Sequence, residues 1–368
     1  MSAGTDTELA AEFELAAQEL ADDLLRRHRA DGDPDPDGTE RRGFAAAVEA
    51  GWCGALLPEE LGGLGLGLVE LGGIFKVVGS NLFAGPLLEH AVAFPLLLAS
   101  TPDAERAAAL APRLEAGRTA ALVDAAALGG PSPRLTEGRL EGSVDCVRFA
   151  GEAGTLVVCA VAADAEAVAV LPADRAGIAI EPMRSFDPAM SVARVSFEGA
   201  TVEPGELLVE PGEVDLAPVR DGLRLMISCE QAGLAERTLE RATEYAKERH
   251  QFGRPIGSFQ AIQQILAEMS RRSLLLDHVW REAVPAAGVA AGPIAARVAK
   301  VAAALYARGV VEDALQVHGG VAFTLEYDLH RYYKRVLTLQ GLYGGVELAD
   351  ELTDELLAPG NDPWPAFA

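Results

Sequence analysis

Residues 248–260 read Glu248-Arg249-His250-Gln251-Phe252-Gly253-Arg254-Pro255-Ile256-Gly257-Ser258-Phe259-Gln260. This stretch decides the fold because it breaks two long helical patterns sharply. Apolar side chains recur at helical spacing over 217–249 before it and over 258–284 after it. Between them Gly253, Pro255 and Gly257 interrupt the helix and impose a turn. A helix ending in Arg249 can present a cation and backbone N–H groups to a diphosphate, and Phe252 can cover a flat ring. The plainer alternative makes Arg249 a surface charge and Phe252 an anchor of the turn.

Outward from this turn, helices are expected at about 292–317, 325–341 and 346–357. Three of the C-terminal helices are long enough to form a bundle. Upstream the texture changes. From Thr119 to about Leu208 the runs are short, β-branched and punctuated by Gly and Pro. Strands are expected at 155–162, 167–172, 177–182 and 193–199. In the last of these, Val195 and Phe197 alternate with Arg194, Ser196 and Glu198, as a half-buried strand requires. Before Arg118 the chain reads helical again, at 7–29, 40–51, within 51–79 and over 82–117, with a Pro-, Gly- and Asp-rich loop at 30–40. The expected organisation is an α+β multidomain chain: a helical domain over 1–118, a small β domain over 119–212 and a helical bundle over 213–368.

Charge and cysteine usage exclude several functions. The 368 residues carry 31 Lys and Arg against 55 Asp and Glu, a net charge of −24. Such a field repels nucleic acid and anionic lipid surfaces. No apolar run reaches the ~18 residues of a membrane span, and 90–100 is broken by Pro95. Cys53, Cys146, Cys159 and Cys229 show no CxxC or Cys/His ligand spacing, so no metal site or disulfide framework is expected, and a reducing cytoplasm fits. The first twenty residues lack the basic and apolar regions of a signal peptide.

The 248–260 stretch resembles the Glu-Arg-x-x-Phe-Gly signature of acyl-CoA dehydrogenases. Residues 51–63 (GWCGALLPEELGG) are similar to that family's N-terminal Gly-Trp…Pro-Glu…Gly-Gly turn, and Gln316-Val317-His318-Gly319-Gly320, followed by Thr324-Leu325-Glu326, resembles its late Gln-x-x-Gly-Gly loop. These motifs stand in the family's order across nearly the whole chain. The resemblance implies the acyl-CoA dehydrogenase fold, with a helical N-terminal domain, a small middle β-barrel or sandwich and a C-terminal four-helix bundle. It implies FAD as cofactor and α,β-dehydrogenation of an acyl-CoA thioester. A carboxylate takes the α-proton, and the β-hydrogen leaves as hydride to the flavin. It also implies a flavin shared between subunits, with the Arg-x-x-Phe-Gly turn and the Gln-x-x-Gly-Gly loop reaching a neighbour. Arg249, Gln251, Phe252, Gln316, Gly319 and Gly320 are the cofactor-binding candidates. An electron-transfer flavoprotein is the family's common acceptor.

The departures from the family matter as much. Its late Tyr-Glu-Gly-Thr motif reads Tyr343-Gly344-Gly345-Val346 here, so Gly344 stands where the base should be, and a glycine accepts no proton. The alternative base position, just before Arg224, holds Leu223. The middle-domain run that touches flavin and substrate survives at best as Leu122-Val123-Asp124-Ala125-Ala126, and its Trp/Phe-Ile-Thr contact is not recognisable at 147–152. Glu230 is the remaining candidate catalytic carboxylate. It shares a helix face with Leu223, about 10 Å further along, and reads either as a desolvated base or as a buried Glu paired to an Arg. His318 and Asp124 are further titratable candidates, each with a structural alternative. His330, Arg331, Lys334 and Arg335 read as a salt-bridged surface or a subunit contact.

What is retained belongs to the set that crosses an interface; what is lost serves the chain's own flavin and substrate. The pattern resembles actinobacterial members that work as α2β2 pairs of unlike subunits, some of which serve bulky acyl chains such as steroid side chains. It implies a catalytically incomplete partner beside a second acyl-CoA dehydrogenase subunit. Two other readings stay open: a self-sufficient homodimer or homotetramer using Glu230, and a non-redox binding or tailoring protein on the same fold.

Overall fold

The computed structural model describes residues 11–23, 36–115, 119–324 and 327–358. The ends of the 7–29 helix reading, most of the 30–40 loop, residues 116–118, and Leu325 and Glu326 lie outside them. Ten helices are labelled in chain order: α1 (11–23), α2 (Pro36–Glu49), α3 (Leu68–Ser80), α4 (Phe94–Ser100), α5 (Ala104–Leu110), α6 (Ala217–Glu248), α7 (Gln260–Ala283), α8 (Gly292–His318), α9 (Leu329–Gly341) and α10 (Leu348–Leu356). A π-helical turn, Glu89–Ala93, leads into α4. Between α5 and α6 runs one eight-stranded sheet: β1 (Ala120–Val123), β2 (Arg134–Thr136), β3 (Arg139–Arg148), β4 (Thr155–Ala162), β5 (Ala165–Pro172), β6 (Ile178–Met183), β7 (Val192–Thr201) and β8 (Leu207–Val209). Its order is β6-β7-β3-β2-β4-β5-β8, with β1 parallel to β4.

The sheet is buried on both sides, which explains the continuous apolar runs of β4 and β5. Leu156, Val158, Ala167, Ala169 and Leu171 fill the core of the β domain. Val157, Cys159, Val168 and Val170 on the opposite face join the larger core of the helices. The strands β1 to β3 escape the sequence reading because β1 is Ala-rich and β3 is polar at most exposed positions.

Helix α6, about 48 Å long at 1.5 Å per residue, is the axis of the molecule. Residues 222–235 are buried almost throughout, packed between α3 and α8. The crossing with α3 is a backbone-to-backbone contact made by glycines. A Cβ on Gly79 would lie 1.9 Å from the Glu230 carbonyl oxygen, and one on Gly233 would lie 1.8 Å from the Lys76 carbonyl oxygen. On the other side of the bundle, fully buried Lys300 of α8 donates to the carbonyls of Leu339 (3.1 Å) and Gln340 (2.9 Å) at the end of α9. Burial lowers its pKa to about 7. Among the described residues no helix is long and apolar enough to cross a membrane.

Gly233→Ala should separate α3 from α6 and lower stability by about 3 kcal/mol despite alanine's better helix propensity. Gly341→Ala, with nothing within 4 Å of the added carbon, should stay within about 1 kcal/mol of the parent. Urea unfolding of the two variants checks this; equal midpoints would mean that the crossing is not tight.

Candidate functional site

The helical N-terminal region, the sheet and the bundle meet at a crevice. Its lining includes Glu89, Asp124, Cys146, Arg148, Leu223 and Tyr343, and its free volume is only about 30 Å³. Ligand pockets span about 300–1,000 Å³, so this one has room for little more than water. Two features close it.

One is Arg148. A β-bulge between Val144 and Val147 shifts the register of β3 against β7, with Cys146 at φ 55°. Beyond this bulge Arg148 is half-buried, and its Nε lies 3.4 Å from Oε1 of Glu89 on the π-helical turn. Glu89 Oε2 and Arg148 Nε and Nη1 are buried without a hydrogen-bond partner among the described residues. Burial pushes the Glu89 carboxyl pKa up. Sequence reading missed Arg148 because an Arg in a strand gives no sign of its side until the bulge is known.

The other is the start of the 342–348 segment, where Leu342 and Tyr343 line the crevice. Tyr343 takes φ 57°, donates its N–H to Ala127 O at 2.7 Å and accepts from Arg224 Nε at 2.9 Å through its carbonyl. Arg224 is itself paired with Asp221 at 2.7 Å. Gly344 follows at φ +93°, and a Cβ there would lie 2.7 Å from Cγ and Cδ1 of buried Leu348. A glutamate at 344 would therefore be strained in its backbone and would collide with Leu348. Val346 is 41% exposed. Leu223, at the alternative base position, lines the crevice as an inert buried side chain.

Glu230 does not face this crevice as a free carboxylate. Its Oε1 lies 3.1 Å from Nη1 of Arg335, whose Nε lies 2.6 Å from Asp187 and whose Nη1 also donates to Phe83 O at 2.9 Å. All three charged groups are buried. Burial raises the Glu230 pKa against the pull of Arg335. Of the two readings of Glu230, the buried partner of an Arg is the one that the geometry matches. The same pairing corrects the reading of residues 330–335 as one basic surface cluster: Arg335 is 1% exposed, and His330 Nδ1 lies 2.9 Å from Tyr327 O. Asp124 is likewise structural. It caps the turn at Ala126 and pairs with Arg220, which also holds Glu166, tying the sheet to the start of α6.

The other candidates lie on the surface. Arg249 ends α6, and residues 250–255 form a two-stranded hairpin of His250–Gln251 against Arg254–Pro255. Arg249 and Gln251 are exposed. Phe252 is 93% exposed at a left-handed φ of 53°. A phenylalanine held strained and bare in this way is costly in an isolated chain. Gln316, at the end of α8, is exposed, and Gly319 (φ +66°) and Gly320 have nothing within 4 Å of where a Cβ would be. Phe323, closing that turn, is 68% exposed. Among the described residues no group of three or more His, Cys, Asp or Glu is placed to hold a metal.

Comparisons with known proteins agree with this architecture. The family model described as acyl-CoA dehydrogenase, C-terminal domain, matches residues 221–351. The acyl-CoA dehydrogenase IpdE2 of Mycobacterium tuberculosis is 29% identical over 317 residues, covering 86% of this chain and 84% of the relative. Acyl-CoA dehydrogenase FadE34 of the same organism is 32% identical over 305 residues, covering 82% of this chain and 40% of that longer relative. A solved structure of the ChsE4-ChsE5 complex from M. tuberculosis superposes with a TM-score of 0.82 at 25% identity, covering 95% of this chain and 97% of the matched chain. With its helical, β, helical order and the motifs on the 248–260 turn and the 316–320 loop, the chain belongs to the acyl-CoA dehydrogenase family.

Proposed function

We propose that this chain is the catalytically incomplete subunit of an FAD-dependent acyl-CoA dehydrogenase. It works in the cytoplasm beside a second, unlike chain of the same family. The observation that carries this reading is the opposite condition of two residue sets. The crevice that would serve this chain's own flavin is filled by Arg148, Glu89 and Tyr343, and Leu348 occupies the space that a side chain at Gly344 would need. The two turns that resemble cross-interface contacts stand bare at the surface.

These sets fit a flavin nucleotide differently. A space of about 30 Å³ does not admit a flavin ring, and the buried Arg148 and Glu89 atoms there that lack a hydrogen bond match water better than an apolar ring edge. The exposed turns suit the nucleotide end. Arg249 offers a permanent cation to the diphosphate, Phe252 offers an aromatic face, and Gly319 and Gly320 allow backbone N–H groups to approach closely. FAD, when bound, supplies the acceptor for the hydride that leaves the acyl-CoA β-carbon. This chain's residues bind and orient its nucleotide end from across the interface. The base that takes the α-proton belongs to the second chain, because positions 223 and 344 carry no proton acceptor here. Electron-transfer flavoprotein is the acceptor that the family resemblance suggests. The complex of two named chains among the similar structures supports an assembly of unlike subunits.

Expressed alone, the protein should be colourless. Co-expressed with an acyl-CoA dehydrogenase chain that carries the base, it should purify as a yellow complex that oxidises acyl-CoA thioesters. Stoichiometric FAD and turnover in the isolated chain would contradict the reading. Within the complex, Glu230→Gln should leave kcat within about twofold while lowering stability by about 3 kcal/mol through loss of the Arg335 pair. Lost turnover with unchanged stability would make Glu230 the base after all.

A further inference from the structure

The two exposed turns come from different helices, the end of α6 and the end of α8, and must keep a fixed spacing to act on one ligand. The side chain between them is His318. It is 4% exposed, and its ring stacks on Tyr245 with centroids 4.4 Å apart at 23°. On another side it meets Tyr327 at 5.1 Å, while Tyr245 and Tyr327 meet edge to face at 6.2 Å. Tyr245 is also the residue whose carbonyl accepts the Arg249 N–H at 2.9 Å. One aromatic stack thus joins the residue immediately before Gly319 to the helical turn on which Arg249 hangs.

The protonation state of His318 follows from its contacts. Nδ1 lies 2.7 Å from Ala314 O, so Nδ1 carries the proton and donates. Nε2 is then an acceptor, buried and without a partner among the described residues. Charged and titratable neighbours surround the stack. Arg241 of α6 lies over the Tyr327 ring at 5.6 Å and pairs with Asp328, and Glu248 acts on Tyr327. A second proton on His318 would have no acceptor and would sit near Arg241. Burial first, and Arg241 as well, hold the His318 pKa below the usual imidazole range.

We propose that His318 is a positioning residue that locks the Gly319–Gly320 turn to the Arg249–Gly253 turn, and that its protonation in acid releases the pair. This rests on the reading of both turns as cross-interface flavin contacts. In that assembly, His318 sets how well the nucleotide end of FAD is gripped without touching the reacting atoms.

The test uses the two-chain complex and measures FAD dissociation by flavin fluorescence between pH 5 and 8, with thermal unfolding and kcat per bound flavin recorded alongside. His318→Ala removes the stack and should weaken FAD binding by about tenfold at pH 7, with kcat per bound flavin unchanged. His318→Phe keeps an aromatic ring that cannot be protonated. It should bind FAD within about threefold of the parent at pH 7 and abolish the loosening that the parent shows as the pH falls. A His318→Ala complex that binds FAD like the parent, or a His318→Phe complex that keeps the parent's pH profile, overturns the proposal. Arg249→Ala separates the two levels. If it also binds FAD like the parent, the cross-interface reading itself fails; if it alone loosens FAD, only the role of His318 fails.

Discussion

The guanidinium of Arg335 holds the three parts of this molecule in register. It projects from α9 of the bundle, meets Asp187 of the β domain, Glu230 of α6 and the Phe83 carbonyl of the N-terminal region, and is 1% exposed. Two carboxylates and a carbonyl around one buried cation leave little of its charge unanswered, which makes such a group tolerable in a dry interior. Removing Arg335 would leave two buried carboxylates without their cation at the junction of all three parts. Glu230 is therefore committed to architecture, and a carboxylate that completes an ion pair of this kind is badly placed to shuttle protons.

The side chains that line the crevice leave it about 30 Å³ of free space. Arg148 and Glu89 form an ion pair in the crevice, Leu348 occupies the space a side chain at 344 would need, and Leu223 presents hydrocarbon. At the periphery the reverse holds. Phe252 is displayed at 93% exposure on a left-handed backbone, and Gly319 and Gly320 leave open backbone on a second turn. An isolated subunit gains nothing from a strained, solvated phenylalanine; an assembly that covers it does.

Much of the fold was legible in the sequence because it rests on period and punctuation. The long helices α6, α7 and α8 follow from apolar spacing between Gly and Pro breaks, and β4, β5 and β7 from β-branched runs. The strands β1 to β3 were not legible, since short Ala-rich or polar strands look like loops until a neighbour pairs with them. At the site, the missing base was visible as Gly344 and Leu223, because absence of a proton acceptor is a property of the residue itself. The partner of Glu230 was not, since Arg335 is 105 positions away in the chain and Asp187, the second carboxylate on Arg335, is 43, and only the packed domains bring them together. Arg148 was hidden for a related reason: a single bulge decides where a strand residue points. His318 could be noted as titratable, but its aromatic cage exists only where α6 and α8 end side by side.

The central claim is that one flavin serves two unlike chains, with the ring and the base on the other chain. The most direct measurement is the FAD content of the purified two-chain complex, by flavin absorbance against protein concentration and by intact mass of the assembly. The account predicts one FAD for each pair of unlike chains, all of it lost when the second chain is removed. One FAD for every chain, including this one, would contradict it.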